Sequence, residues 1–195
     1  MILLKNVTKS ENCFTESGVC MLKVKDGIFE AFEELLKEKS FEDITILDIA
    51  KRCEISRGTF YRYFADKYEL MNYGYIKKSN ALISAYDGIN MLKNNYLAMA
   101  NYMYKKESFR KIFMQYGQNS LTDTISMTCN SICRELVLKS GEKENSDELS
   151  DAIEMFSIGM AEYLRHWALN GYKVTPERIA VAIFENIPAK LMKYL

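Results

Sequence analysis

Proline is almost missing from this chain: there are two in 195 residues, with only nine glycines, a scarcity that argues for helices. Histidine and tryptophan occur once each. A single histidine, no nucleophile motif and no glycine-rich phosphate loop leave nothing on which to build catalysis, so no enzyme is expected. Charge of one sign is missing too, because 26 basic and 26 acidic residues cancel. That balance argues against a general nucleic-acid adhesive. No apolar run is long enough to cross a bilayer, and Met1 to Leu4 is too short for a signal-peptide core; a cytoplasmic protein without membrane contact is expected. The cysteines (Cys13, Cys20, Cys53, Cys129 and Cys133) are odd in number and lack framework spacing, which fits reduced thiols. Cys129 and Cys133, one helical turn apart, could join His166 in a metal or redox site; apolar filler is the commoner use of such cysteines, and neither metal nor cofactor is expected.

What the chain has is apolar residues, 48% of the total, in helical periods. An all-α fold is expected, with a small N-terminal domain and a larger helical one. Residues 1–20 show no sustained period and read as a loose extension. From Met21 the positions Val24, Ile28, Ala31, Phe32, Leu35 and Leu36 form one stripe, a first helix that ends near Lys37 to Ser40, after which Phe41 and Ile44 return to the core.

The stretch Ile44 to Met71 carries the most information. Thr45 can cap a helix with Ile46, Ile49, Ala50 and Cys53 on one face, and Asp48 three residues after the cap completes a capping-box pattern. Glu54 and Ile55 make a turn. Ser56 can cap a second helix, with Ile55 and Phe60 placed as a hydrophobic staple. If Phe60 and Phe64 share its buried face, Arg57, Gly58, Tyr61 and Arg62 point away, with Thr59 and Tyr63 at the flanks. Arginine, hydroxyl and tyrosine groups turned outward suit phosphates and base edges. Lys51, Arg52, Arg57, Arg62 and Lys67 stand against Glu54 and Asp66, a local net charge of +3, whereas Lys39 to Asp43 carry −1. Asp66, with Glu69 three residues on, caps a third helix leading into the rest of the chain.

At Thr45, Asp48, Ile49, Ala50, Ser56, Gly58, Thr59, Tyr61, Tyr63, Phe64 and Lys67 the chain resembles the tetracycline-repressor (TetR) family of bacterial regulators. The resemblance implies a helix-turn-helix DNA-binding domain over 21–66 and an effector-binding and dimerisation domain over 67–195. It implies that Thr45 and Lys67 contact phosphates, that Arg57 and Thr59 read base edges, that Tyr61 and Tyr63 lie on the DNA backbone, and that Ser56 and Gly58 belong to the same surface. Glu54 departs from the family, which usually has glycine at this turn; a side chain here must adopt a left-handed conformation and brings a carboxylate near DNA.

Beyond residue 75 the periods mark helices over Tyr86 to Tyr104, Ser108 to Tyr116, Leu121 to Leu138 and Asp147 to Leu169, with Asn170-Gly171 as a stop. Thr175-Pro176-Glu177 opens a last helix, which Pro188 should kink or restart. By the resemblance the last two helices pair with those of a second subunit, with Phe156, Gly159, Met160, Tyr163 and Trp167 as the expected interface of a homodimer. The resemblance also implies a pocket for a small, largely apolar effector, for which Tyr86, Met99, Tyr102, Met103, Phe113, Tyr116, Met127 and Tyr163 are candidate lining residues; ordinary core is the alternative use of these side chains. Tyr116 to Ser120 resembles a subgroup that includes dihydroxyacetone-kinase regulators, some of which act with a protein partner. The expected mechanism is a repressor dimer on a near-palindromic stretch of double-stranded DNA, released when an effector shifts the helix that starts at Asp66. The alternative, favoured by Glu54, is an adaptor or co-activator on the same scaffold that acts through a protein partner.

Overall fold

The computed structural model describes residues 16–84, 89–114, 120–141 and 147–194, and among them all regular structure is helical. The helices are α1 (Glu16–Glu38), α2 (Ile46–Arg52), α3 (Arg57–Tyr61), α4 (Lys67–Ser84), α5 (Ile89–Met103), α6 (Glu107–Phe113), α7 (Leu121–Lys139), α8 (Asp147–Leu169), α9 (Pro176–Glu185) and α10 (Ala189–Met192). The chain forms two compact units, Met1–Tyr75 and Ile76–Leu195, so the division falls within α4 rather than ahead of it.

In the first unit α1 supplies the floor of the core through Ile28, Phe29, Phe32 and Leu35, all buried. Phe41 and Ile44 from the following turn, Ile49 and Ala50 of α2, Phe60 of α3, Phe64, and Leu70 and Met71 of α4 close over it. Helices of seven and five residues do not persist alone in water; α2 and α3 exist because caps fix their ends and the core holds one face of each. Aromatic edges knit the set, with Phe32 on Phe41 at 6.1 Å, Phe41 on Tyr68 at 5.2 Å and Phe64 on Tyr73 at 5.4 Å between ring centroids. Helix α1 begins at Glu16, so residues 16–20 of the expected loose extension are helical. Once a helix is nucleated by a packed stripe, each added residue costs little, and a period of its own is not required.

In the second unit α7 and α8 pack antiparallel, as the bonds Asn130 Nδ2 to Glu154 Oε2 (2.8 Å) and Arg134 guanidinium to Ser150 Oγ (3.1 Å) show by running in opposite chain senses. Leu121, Ile125, Leu136 and Val137 of α7 meet Leu149, Ile153, Met160 and Leu164 of α8 in the core. Cys129 and Cys133 are buried in this layer, their thiols hydrogen-bonded to each other, while His166 is exposed on α8; the three do not converge. The end of α8 follows the sequence closely. The amide of Tyr172 donates to Trp167 O and that of Gly171 to Ala168 O, both at 3.0 Å, with Gly171 at φ 75°. This is the Schellman closure that glycine favours. The Tyr172 ring then meets Trp167 edge-on at 4.9 Å, and Trp167 Nε1 donates to Val174 O at 2.7 Å, so Trp167 is locked inside its own unit. Thr175 caps α9 with Pro176 in the first turn, and Pro188 restarts the chain as α10.

Candidate nucleic-acid interface

Three local devices shape the Ile44 to Met71 surface. Thr45 Oγ1 accepts from the Asp48 amide (3.1 Å), and the Asp48 carboxylate accepts from the Thr45 amide (2.9 Å). The bonds that the Thr45 amide and the Thr45 hydroxyl (2.8 Å) donate to the carboxylate, with the Lys39 ammonium at 3.2 Å, lower the Asp48 carboxyl to a pKa of about 2. Ser56 Oγ accepts from the Thr59 amide and pairs with the Thr59 hydroxyl, each at 3.0 Å. Asp66 Oδ1 accepts from the amides of Tyr68 and Glu69, and Glu69 reaches back to the Ala65 amide at 2.6 Å.

Between the first two devices lies the turn. Glu54 adopts φ 56°, the left-handed conformation anticipated for it, and the Ile55 amide closes on Ala50 O at 2.9 Å. A residue with a Cβ costs roughly 1–2 kcal/mol in this region.

Helix α3 ends at Tyr61, short of Phe64, but Phe60 on it and Phe64 just beyond are both buried, so Arg57, Gly58, Tyr61 and the capping Arg62 face outward, Tyr61 with 49% of its surface exposed; Thr59 and Tyr63 are half-buried at the flanks. Thr45 and Ser56 are exposed at their caps. Gly58 is informative. Its φ is not positive, and a Cβ built there would meet only Ser56 Oγ at 3.6 Å, an ordinary contact. The fold has no use for a missing side chain at this position, although glycine inside a helix costs about 0.5–1 kcal/mol relative to alanine. The clearance is on the outward face.

Two of the expected cations are engaged inward. Lys67, expected at a phosphate, places its ammonium on three backbone carbonyls, Phe41 O (2.6 Å), Glu42 O (3.0 Å) and Ile44 O (2.9 Å), with the Phe41 ring 4.5 Å away. An ammonium has three donors, so this geometry makes Lys67 a brace between α4 and the turn before α2. Burial lowers its pKa below the usual lysine value. Arg52 bonds Glu34 at 3.1 Å and Glu38 at 2.7 Å on α1. Lys51, Arg57 and Arg62 are the cations of the expected footprint that are exposed and lack an intramolecular partner among the described residues.

The expected pocket residues do not share one chamber. Met99, Met103 and Phe113 are buried, whereas Tyr102 is half-buried, edge-on to Phe109 at 5.3 Å. Met127 is 61% exposed and Tyr163 40%, so neither lines an interior cavity; the helical period gave their spacing but not their side of the helix. Tyr86 and Tyr116 lie outside the described residues. A groove of about 430 Å³ opens instead in the first unit, with Ile28, Ala31, Cys53 and Ile55 on its walls.

The expected interface residues separate likewise. Met160 and Trp167 are buried within the unit, a correction to their assignment, and Phe156 is half-buried. Gly159 and Tyr163 are exposed beside Met155 (76%) and Ile158 (49%). Nothing lies within 4 Å of a Cβ built on Gly159.

Two family models match this arrangement: bacterial regulatory proteins of the tetR family over residues 28–73, and a transcriptional regulator C-terminal region over residues 90–188. The chain belongs to the tetR family. Among curated relatives it is similar to the HTH-type dhaKLM operon transcriptional activator DhaS of Lactococcus lactis, at 28% identity over 88 residues, which are 45% of this chain and 47% of that one. It is also similar to the HTH-type regulator YuxN of Bacillus subtilis, at 28% over 178 residues, 82% of this chain and 60% of that one. The chain thus matches about half to three-fifths of the length of these relatives. Among solved structures, the dihydroxyacetone kinase operon activator DhaS superposes with a TM-score of 0.59 at 19% identity, covering 86% of this chain and 96% of that one. FadR of Thermus thermophilus, a TetR-family repressor solved with lauroyl-CoA, gives 0.57 at 14%, covering 84% and 92%. RolR with resorcinol gives 0.56 at 14%, covering 89% and 92%. At these identities the likeness is one of fold, and the tetR fold here is the helix-turn-helix unit followed by an all-helical one.

Proposed function

We propose that this tetR-family member acts in the cytoplasm as a homodimeric, effector-controlled reader of a near-palindromic operator, most simply as a repressor. The observation that carries the reading is the outward face of α3, where Arg57, Tyr61 and Arg62 surround a glycine that the fold does not need. An arginine there can grip guanine or phosphate, and the open space at Gly58 lets a duplex approach the helix. In this reading Arg57 and Thr59 face base edges; Thr45, Ser56, Tyr61 and Tyr63 hold the backbone; Lys67 acts indirectly, by bracing α4 against the turn before α2.

A helix as short as α3 touches few base pairs, so two copies are needed for useful specificity. The α8 face of Met155, Ile158, Gly159 and Tyr163 supports such pairing, because apolar groups and an exposed glycine suit close approach by a second helix. The effector is proposed to be a small, largely apolar molecule held in the second unit, where Met99, Met103 and Phe113 supply adaptable apolar surface. The apolar acyl chain of lauroyl-CoA and the ring of resorcinol, bound by proteins of similar fold, support an apolar part to that ligand.

Selection of bound fragments from a library of the source genome by the purified full chain tests the proposal. Enrichment of one near-palindromic sequence, bound with two protomers, is the expected result; recovery without sequence enrichment would reject it. A second reading, an adaptor acting through a protein partner, is favoured by the strained acidic turn at Glu54, and that same lack of enrichment is its expectation.

A further inference from the structure

Among the described residues, four helices are followed, two residues past their last helical residue, by a left-handed one. The α7 and α8 ends use Gly141 at φ 82° and Gly171 at φ 75°, while the α2 and α5 ends use Glu54 at φ 56° and Lys105 at φ 53°. The hydrogen bonding is shared: Glu54 N donates to Lys51 O at 3.2 Å as Gly171 N donates to Ala168 O, and Ile55 N donates to Ala50 O as Tyr172 N donates to Trp167 O. Nothing in this closure calls for a side chain at residue 54, and glycine would hold it with less strain. Nor does the fold use the carboxylate, which is exposed and has no hydrogen bond or ion pair among the described residues.

What the carboxylate does have is its position. Glu54 lies three residues from Lys51 and three from Arg57. Three peptide steps keep the Cα atoms of these residues within about 11 Å, so their charges share one neighbourhood on the scale of the roughly 10 Å screening length in 0.1 M salt. Because Arg52 is paired with Glu34 and Glu38 and Lys67 with three carbonyls, the unpaired cations here are Lys51, Arg57 and Arg62. With Asp66 the only other carboxylate between Lys51 and Lys67, the Glu54 charge is a large fraction of the field around these three cations.

We propose that Glu54 is an electrostatic brake on the DNA reader: a fixed negative charge at the turn that weakens its grip on phosphates in every sequence. The inference rests on the DNA-reading function above. Acting through the field rather than through a contact, the brake lowers operator and nonspecific affinity by a similar factor and fades as salt rises. A reader restrained in this way is held near the threshold of occupancy, so a modest effector coupling suffices to empty the operator.

The test uses the full chain with Glu54→Gln, which removes the charge and keeps the side chain, and Glu54→Gly, which removes both. Fluorescence anisotropy is read on a random-sequence duplex and on a duplex selected by the wild type. In about 50 mM salt Glu54→Gln is expected to bind both duplexes roughly three- to tenfold tighter than wild type, shrinking to less than about twofold in 300 mM salt. Glu54→Gly should show the same gain. Unchanged affinity in Glu54→Gln, a gain that salt does not diminish, or a gain confined to Glu54→Gly would each overturn the brake while leaving the DNA reader standing. A wild type that binds neither duplex would overturn both.

Discussion

Helices α2 and α3 are too short to stand on packing alone and have their starts fixed by bonds made within a few residues, whereas the long helices α7 and α8 depend chiefly on which face they bury. In the first case Thr45 and Ser56 each satisfy an amide three positions along the chain, so the starts of very short helices are fixed by local chemistry as well as by the core. In the second, helices of 19 and 23 residues bury one side against each other and leave Met127, Met155 and Ile158 in solvent. Local fixing is what a reader needs, since a recognition surface must keep its geometry before its ligand arrives. Facial packing suits the dimer and effector role proposed for the second unit, since exposed apolar groups can take a partner helix and adaptable ones can repack.

The contrast can be broken most severely at Phe60, the fully buried ring that fastens α3 to the core. Phe60→Ala should cost about 3–5 kcal/mol, enough to unfold the first unit while the second keeps its helices. Calorimetry should then show the earlier of two transitions lost and the later one in place; a single transition shifted as a whole would mean that the two units do not melt separately. A charge on the α8 face comes next. Ile158→Asp should convert a dimer to a monomer in sedimentation at micromolar concentration without lowering helicity, and a persistent dimer would move the interface elsewhere.

Smaller effects sharpen the contrast. Gly58→Ala should raise stability by about 0.5–1 kcal/mol, because alanine is the better helix former and meets no obstacle in the fold, yet it should weaken DNA binding. A variant that binds DNA as well as wild type would remove Gly58 from the interface. The Asp48 cap gives a pH signature. Its carboxyl titrates at about 2 when folded, against an ordinary value near 4 when unfolded, so its contribution is present above pH of about 4 and is lost as pH falls toward 2. Asp48→Asn should flatten the acid side of the stability curve over that window; an unchanged curve would show that the box bonds do not hold in solution.

The same contrast explains what was readable from residues alone. The capping box at Thr45, the cap at Ser56, the outward set on α3, the left-handed Glu54 and both ends of α8 are local patterns, and each appears as expected. The inward bonds of Lys67 and Arg52 were not legible because their partners lie far off in sequence, at Phe41 to Ile44 and at Glu34 and Glu38, and no local spacing links them. Met160 and Trp167 were expected at an interface but are buried, while Met155 and Ile158 are exposed, because α8 carries apolar residues on more than one side. A helical period shows which residues share a face; which face turns inward is decided by the neighbouring helices.

Arg57 offers the most direct test of the central claim that α3 reads DNA. Binding of wild type and Arg57→Ala is compared on the selected operator and on a random duplex of equal length and at equal salt. The account predicts a loss of about 1–3 kcal/mol on the operator and a much smaller one on the random duplex. Equal losses on the two duplexes, or none on the operator, would contradict it.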